Sequence, residues 1–183
     1  WYNQFFKRAF DLSVATVGTI AISPILLGIA IAIKASSPGP AFYAHRRIGK
    51  DGIYFNCYKF RSMVVDSDRR LQEYLRANPE AAKEWEETHK LKHDPRVTKI
   101  GAFLRKTSLD ELPQLFNVIR GQMSLVGPRP IVDEEVIKYD VFFSDYTMVR
   151  PGMTGLWQTS GRSDTSHSRR VRLDAWYVRN WNI

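Results

Sequence analysis

One cysteine, Cys57, occurs in 183 residues, which excludes an internal disulfide framework and a cysteine-rich zinc site. Cys57 lies in the apolar-aromatic run 53–58 and reads as a buried strand residue. No internal repeat and no low-complexity tract is present, and at 44% hydrophobic content the chain is too apolar to be disordered. Acidic residues are the scarcer charge, 19 against 27 basic, for a net +8. That surplus points to an anionic partner, whether nucleic acid, an acidic membrane surface or a phosphorylated small molecule. No recognised RNA- or DNA-binding motif accompanies it, so nucleic acid is the partner not expected. The chain opens on Trp1 rather than Met and ends in an aromatic run, as a piece of a longer protein would.

Charge is also missing from residues 12–33, which as a helix would extend roughly 33 Å against a hydrocarbon core of about 30 Å. The run is too long for a signal peptide and lacks a clear small-residue cleavage site. Ser23-Pro24 interrupts it near the middle, where proline removes an amide donor and crowds the preceding turn. Lys7 and Arg8 precede the run and Lys34, Arg46 and Arg47 follow it, so flanking charge sets no orientation. Two arrangements stand open, a spanning helix and a helix bent at Ser23-Pro24 that enters and leaves by one face. In the second, the serine hydroxyl can satisfy a carbonyl freed by the proline.

Beyond Pro38-Gly39-Pro40, two aromatic-rich runs flank Lys50-Asp51-Gly52 and predict a β-hairpin. A charged helical insert follows over about 66–92, with Leu71, Tyr74 and Leu75 on one stripe and Asn78-Pro79 opening a second helix. Leu112, Leu115, Phe116 and Ile119 mark the face of a further helix stopped by Gly121. Val136, Tyr139, Phe142 and Phe143 suit an amphipathic helix, its aromatics on the core or in a membrane interface.

Chemistry concentrates at Ser108-Leu109-Asp110-Glu111-Leu112-Pro113. Ser108 with Glu111 three residues later could be a capping box. Pro113 would then fall at the fifth helical position, where its ring and missing N–H both cost energy. A helix beginning nearer Asp110 removes that conflict and sets two carboxylates at its electropositive end, as nucleophile and divalent-cation ligand. On these residues alone the two readings stand level. Basic residues surround the acids in sequence: Lys59, Arg61, Arg105, Lys106, Arg129, Arg150, Arg162, Arg169, Arg170 and Arg172. Arg129, between Pro128 and Pro130, is presented as bidentate phosphate recognition requires.

Six ordered segments, 7–11, 23–24, 59–63, 105–117, 121–130 and 149–158, together resemble the bacterial sugar transferases, the monotopic polyprenyl-phosphate phosphoglycosyl transferases. The resemblance covers essentially the whole chain. It implies an α+β, mainly helical fold: a re-entrant membrane helix over 1–37 broken at Ser23-Pro24, and a catalytic domain over 38–183 with amphipathic interfacial helices and a small β-hairpin. It implies transfer of a hexose 1-phosphate from a UDP-sugar to undecaprenyl phosphate, releasing UMP, as the first membrane step of surface polysaccharide synthesis. Asp110 is then the nucleophile of a covalent phosphosugar intermediate and Glu111 the Mg²⁺ ligand. Arg105 and Arg129 hold phosphate, Lys59 joins them, and Gln114 and Asn117 support the site. Lys7, Arg8, Ser23 and Pro24 belong to the membrane anchor, in the bacterial inner membrane with the catalytic domain facing the cytoplasm. The insert resembles that of the galactose- and glucose-1-phosphate transferring forms. It and the aromatic C-terminal run offer contact surfaces to a second copy.

Overall fold

The computed structural model describes residues 2–88, 91–160 and 166–181. Helix α1 runs without interruption over Tyr2–Ser36, with Pro24 inside it. Pro24 cannot donate to the carbonyl of Ile20, and the Ser23 hydroxyl donates to that oxygen instead, at 2.8 Å. The Ser-Pro pair is therefore accommodated within helical backbone. Only 11% of the apolar window of α1 is buried within the protein, unlike the core helix of a soluble domain. Phe5, Phe10, Val17, Ile20, Leu27 and Ile31 are all exposed.

The rest is mainly helical, with two small sheets. Strands β1 (Phe42–Ile48) and β2 (Tyr54–Phe60) pair as the expected hairpin. The turn between them takes Asp51 and Gly52 to φ 57° and 73°, the left-handed region that Asp-Gly tolerates. Helices α2 (Ser67–Ala77) and α3 (Pro79–Thr88) form the insert. Asn78 ends one by donating to the Tyr74 carbonyl, and Pro79 starts the other. Then come α4 (Lys99–Thr107), α5 (Gln114–Ile119), β3 (Ser124–Val126), α6 (Asp133–Tyr139), α7 (Phe143–Thr147), β4 (Gly152–Thr154), α8 (Leu156–Thr159) and α9 (His167–Asn180).

The chain forms two compact units, the first comprising Trp1–Pro24, Ala44–Lys59 and Pro113–Ile183, the second Ile25–Tyr43 and Phe60–Leu112. In the first, Ala15 of α1 packs with Phe55, Cys57, Leu115, Val118 and Met123. A neighbouring cluster joins Ile48, Ile131, Tyr139, Tyr146 and Val171, with Val136, Phe142 and Phe143 against it. The aromatic stripe of α6 and the following turn thus faces the core; the exposed apolar residues there are Ile137 and Val141. Strands β3 and β4 pair in parallel, Ser124 with Gly152 and Val126 with Thr154. Gly127, Gly152 and Gly155 lie so close that a Cβ on any of them would overlap backbone atoms of the opposing segment.

In the second unit, buried Arg61 donates to the carbonyls of Ser37 and Pro38 and so fixes the exit of α1. Gly39, at φ 112°, leaves room for that guanidinium. Thr98 caps α4 by accepting from the Gly101 amide at 2.9 Å. Arg96 grips Asp94 through two nitrogens and lies over the Trp85 ring.

Candidate active site

The segment carrying the two acids is not a capping box. Ser108 adopts φ 58° and ψ 16°, terminates α4 with its backbone N–H, and makes no side-chain cap. A single 3₁₀ turn, Leu109–Glu111, follows, and α5 begins only at Gln114, immediately after fully buried Pro113. The proline therefore sits at the helix entrance, where no donor is missed, and the helix starts four residues beyond Asp110 rather than near it. A non-glycine residue in the left-handed region costs roughly 1–2 kcal/mol, and here it directs the chain from α4 into the acidic turn. Asp110 and Glu111 are half-buried on that turn. Arg105 occupies the last turn of α4, its Nε donating to Ser62 Oγ at 2.9 Å while the residue stays exposed. These three residues belong to the second unit.

Lys59, Gln114, Asn117 and Arg129 belong to the first. Lys59 is half-buried near the end of β2. Asn117 is fully buried and joins α5 to that strand: Oδ1 accepts from the Tyr58 amide, and Nδ2 donates to Asn56 O and Gln122 Oε1. Gln114 is buried beside it on the same helix. The inward face of α5 is thus 114, 115, 117 and 118, whereas Phe116 is exposed. Of the expected apolar stripe 112–115–116–119, Leu115 is buried in the core and Ile119 packs against it, whereas Phe116 is exposed and Asn117 lies inward. The predicted stop of the helix holds: Gly121 has φ 80°.

Arg129 emerges directly from the parallel pair. Gly152 donates to Pro128 O at 2.7 Å and Gly127 to Thr154 O at 2.9 Å, which clamps the Pro-Arg-Pro turn. Its guanidinium meets Glu135 at 3.3 Å, and Glu135 also faces Arg47 at 3.7 Å. A phosphate bound by Arg129 would share it with Glu135.

Lys7 and Arg8 turn into the first unit. Arg8 donates to Val118 O and Ile119 O, carbonyls at the C-terminal end of α5. Lys7 donates to Ser124 Oγ, and Ser124 donates to buried Asp11, which also accepts from the Leu125 amide. Asp11 was not singled out from sequence as a site residue, although its i+4 spacing from Lys7 is the available signal. Among the other basic residues, Arg150 donates to Gly121 O, and Arg170 stacks on Trp157. Arg169 and Arg172 lie on α9. Arg162 lies outside the described residues. No group of three or more His, Cys, Asp or Glu side chains that could hold a metal occurs among the described residues.

The acidic turn and the proline-flanked arginine thus belong to different units, and α1 is long and apolar enough to cross a membrane. The chain belongs to the bacterial sugar transferase family, whose sequence pattern matches residues 2–183. It is 55% identical over 181 residues to an "Uncharacterized sugar transferase" of Haemophilus influenzae. It is 53% identical over 184 residues to the "UDP-galactose-lipid carrier transferase" of Erwinia amylovora. With the "Undecaprenyl-phosphate galactose phosphotransferase" of Salmonella typhimurium it shares 51% over 181 residues. Each alignment takes in 99% of this chain but 38% of the relative, so the chain spans well under half the length of these proteins.

Proposed function

We propose that the protein transfers a hexose 1-phosphate from a UDP-sugar to undecaprenyl phosphate, releasing UMP, as the first membrane step of a surface polysaccharide. The observation that carries this reading is the match over residues 2–183, with more than half of the residues identical to two relatives named for galactose and lipid-carrier substrates. Those names favour galactose over glucose as the donor sugar.

A carboxylate oxygen of Asp110 attacks the sugar-bearing phosphorus, and the phosphoanhydride bond breaks with UMP as leaving group. An oxygen of undecaprenyl phosphate then attacks the same phosphorus and frees the Asp110 carboxylate, leaving a sugar on a lipid diphosphate. Arg105, Arg129 and Lys59 would offset the anionic charge that otherwise keeps a carboxylate from a diphosphate. The adjacent half-buried carboxylates of Asp110 and Glu111 fit Mg²⁺, which takes one or two carboxylates and completes its shell with water and substrate phosphate. Glu111 would hold it, and the ion would supply charge neutralisation at the diphosphate.

A re-entrant α1 delivers this chemistry to the lipid at the cytoplasmic face of the inner membrane. Support comes from the Ser23-Pro24 pair midway along α1, where the serine hydroxyl replaces the donor that proline lacks toward Ile20 O. The deciding experiment gives the full-length protein Mg²⁺, undecaprenyl phosphate and a panel of UDP-sugars, and reads UMP. Asp110→Asn should lower release by about 10⁴-fold or more. Normal turnover in that variant would overturn the nucleophile, and free sugar phosphate formed without lipid would indicate a hydrolase.

A further inference from the structure

The second unit, which carries Asp110 and Glu111, also contains an open cleft of about 990 Å³, and every residue that lines it belongs to that unit. One wall is the face of α4 on which Lys99, Ala102 and Arg105 follow one another at three-residue spacing. Met63 and Val97, joined by an antiparallel bridge, line the cleft as well, together with half-buried Tyr74 of α2. The α4 wall is fixed in place. Ser62, beside Met63, accepts from Arg105 Nε, and Gly101 lies so close to the Ser62 backbone that a Cβ would overlap it.

The charge of the lining is lopsided. Lys92, Arg96, Lys99 and Arg105 stand against a single carboxylate, Asp94, and Arg96 already grips that one at 2.7 Å. The Lys99 ammonium and the terminal nitrogens of Arg105 make no hydrogen bond or ion pair among the described residues. Lys99 is the first residue of α4, the end at which the helix dipole disfavours a cation. A local rule broken with no compensating contact marks a position kept for something other than stability.

The cleft lies within the roughly 300–1,000 Å³ typical of small-molecule sites. A metal ion would find one carboxylate, already engaged, and a polyprenyl chain would lie along four cations. A ligand with an anionic end and a flat, partly apolar end meets both kinds of wall. Lys99 and Arg105 are six residues apart on α4, about 9 Å along its axis, so they bracket a nucleotide rather than share one phosphate. The acids are near that wall. The Ser108 amide donates to Arg105 O and the Glu111 amide to Ser108 O, two successive turns that each span less than about 7 Å.

We propose that this cleft holds the uridine diphosphate portion of the donor, with the diphosphate at the Arg105 end of α4 and the nucleoside toward Lys99. The inference rests on the UDP-sugar reading above and adds the place where the donor is gripped before Asp110 acts. Arg105 then serves the phosphate, and Lys99 donates to a ribose or uracil oxygen.

Two variants test it. Ala102→Trp fills the cleft from an exposed helix position, and Lys99→Gln removes a charge that holds nothing in the fold. The full-length protein in detergent, with Mg²⁺ and undecaprenyl phosphate, is assayed for UMP release as each substrate is varied in turn, and UDP binding is read by calorimetry. Because UMP leaves before the lipid attacks, the lipid step meets an empty cleft. In Ala102→Trp, kcat/KM for the UDP-hexose should fall at least about 10-fold, and in Lys99→Gln about 3- to 10-fold. UDP should bind more weakly by the same factors, while kcat/KM for undecaprenyl phosphate stays within about two-fold. Lys83→Gln, exposed on α3 and outside the cleft, should change neither. Unchanged donor kinetics and UDP affinity in both variants would overturn the proposal. So would a loss confined to the lipid, which would assign the cleft to the acceptor, or an equal loss on both substrates. If the melting curve of Ala102→Trp shows no folded protein, Lys99→Gln alone decides. A parent enzyme that releases no UMP from any UDP-sugar would instead sink the underlying functional reading, and UDP binding would still test the cleft.

Discussion

Replacing Asn117 by alanine should destabilise the protein more than any single change at the exposed arginines. The side chain is 0% exposed and makes three hydrogen bonds, at 2.7, 2.8 and 3.0 Å, to Asn56 O, Gln122 Oε1 and the Tyr58 amide. Alanine leaves all three partner atoms without their bond in a site from which water is excluded. At about 1 kcal/mol for each bond, with a further term for an unsatisfied buried strand amide, the loss is about 3–4 kcal/mol. For a chain of this length that corresponds to a fall in Tm of roughly 6–16 °C. Differential scanning fluorimetry in detergent reads it directly. Gln122→Ala, which removes one of the three bonds, should lose roughly a third as much. Asn117→Asp keeps the shape but turns an acceptor toward two acceptors, and should be at least as damaging as alanine. Because Lys59 follows Tyr58 on β2, the alanine variant should also lose kcat/KM well below its melting temperature. A Tm for Asn117→Ala within about 2 °C of the parent would refute the reasoning and leave Asn117 free for a direct role with substrate.

Ser108→Val places a β-branched residue at φ 58° and should cost about 1–2 kcal/mol, whereas Ser108→Gly should not destabilise; the order of their melting temperatures checks this. Burial pushes Asp174 up to about 7 from 3.8, against the opposing hydrogen bond from Tyr139 and the nearby Arg129. The folded protein therefore keeps a proton that the unfolded chain has released between those values, and stability falls as pH rises through that window. The steepest slope is about 1.4 kcal/mol per pH unit, and Asp174→Asn should remove it from a plot of Tm against pH. For topology, single cysteines replacing exposed Gln4 and Ile53 should react with a membrane-impermeant maleimide from the same side, with little background from buried Cys57. Reaction from opposite sides would establish a single crossing.

Features specified by local chemistry were legible in the sequence. The Asp51-Gly52 turn, the Asn78-Pro79 helix junction and the Gly121 stop all rest on backbone conformations that only a few residue types favour. The conflict between Ser108 and Pro113 was also legible, and its resolution by a 3₁₀ turn needed only the cost of an interior proline. The parallel β3–β4 pair was not, because three-residue strands show no periodicity and these are joined across a long connection. Its trace in the sequence is Gly127, Gly152 and Gly155, whose common purpose appears only when their backbones meet. On α5 the pattern places Leu115 and Ile119 inward, as found, but fails at Phe116: hydrophobic patterning ranks Phe116 above Asn117, yet a buried amide with every bond made outweighs one aromatic ring.

The segment 7–11 ties the start of α1 to the first unit. Read as sequence, Lys7 and Arg8 are flanking charges with no orientational preference, since Lys34, Arg46 and Arg47 balance them. Read with their partners, they are committed: Arg8 closes the carbonyl end of α5, and Lys7 joins the network in which Asp11 holds Ser124 and Leu125. Any rearrangement that lifts these side chains away from 118–125 leaves Asp11, the Ser124 hydroxyl and two helix-end carbonyls without their partners. At about 1.5–3 kcal/mol for each charge-assisted bond, that loss is comparable with the several kilocalories by which a helix of about 50 Å is mismatched to a 30 Å core at a few tenths of a kilocalorie per ångström. The Ile20 carbonyl, which Pro24 cannot serve, already has its replacement donor in the Ser23 hydroxyl, so a bend there would cost no further backbone hydrogen bond. The same contacts keep the first turns of α1 on the first unit.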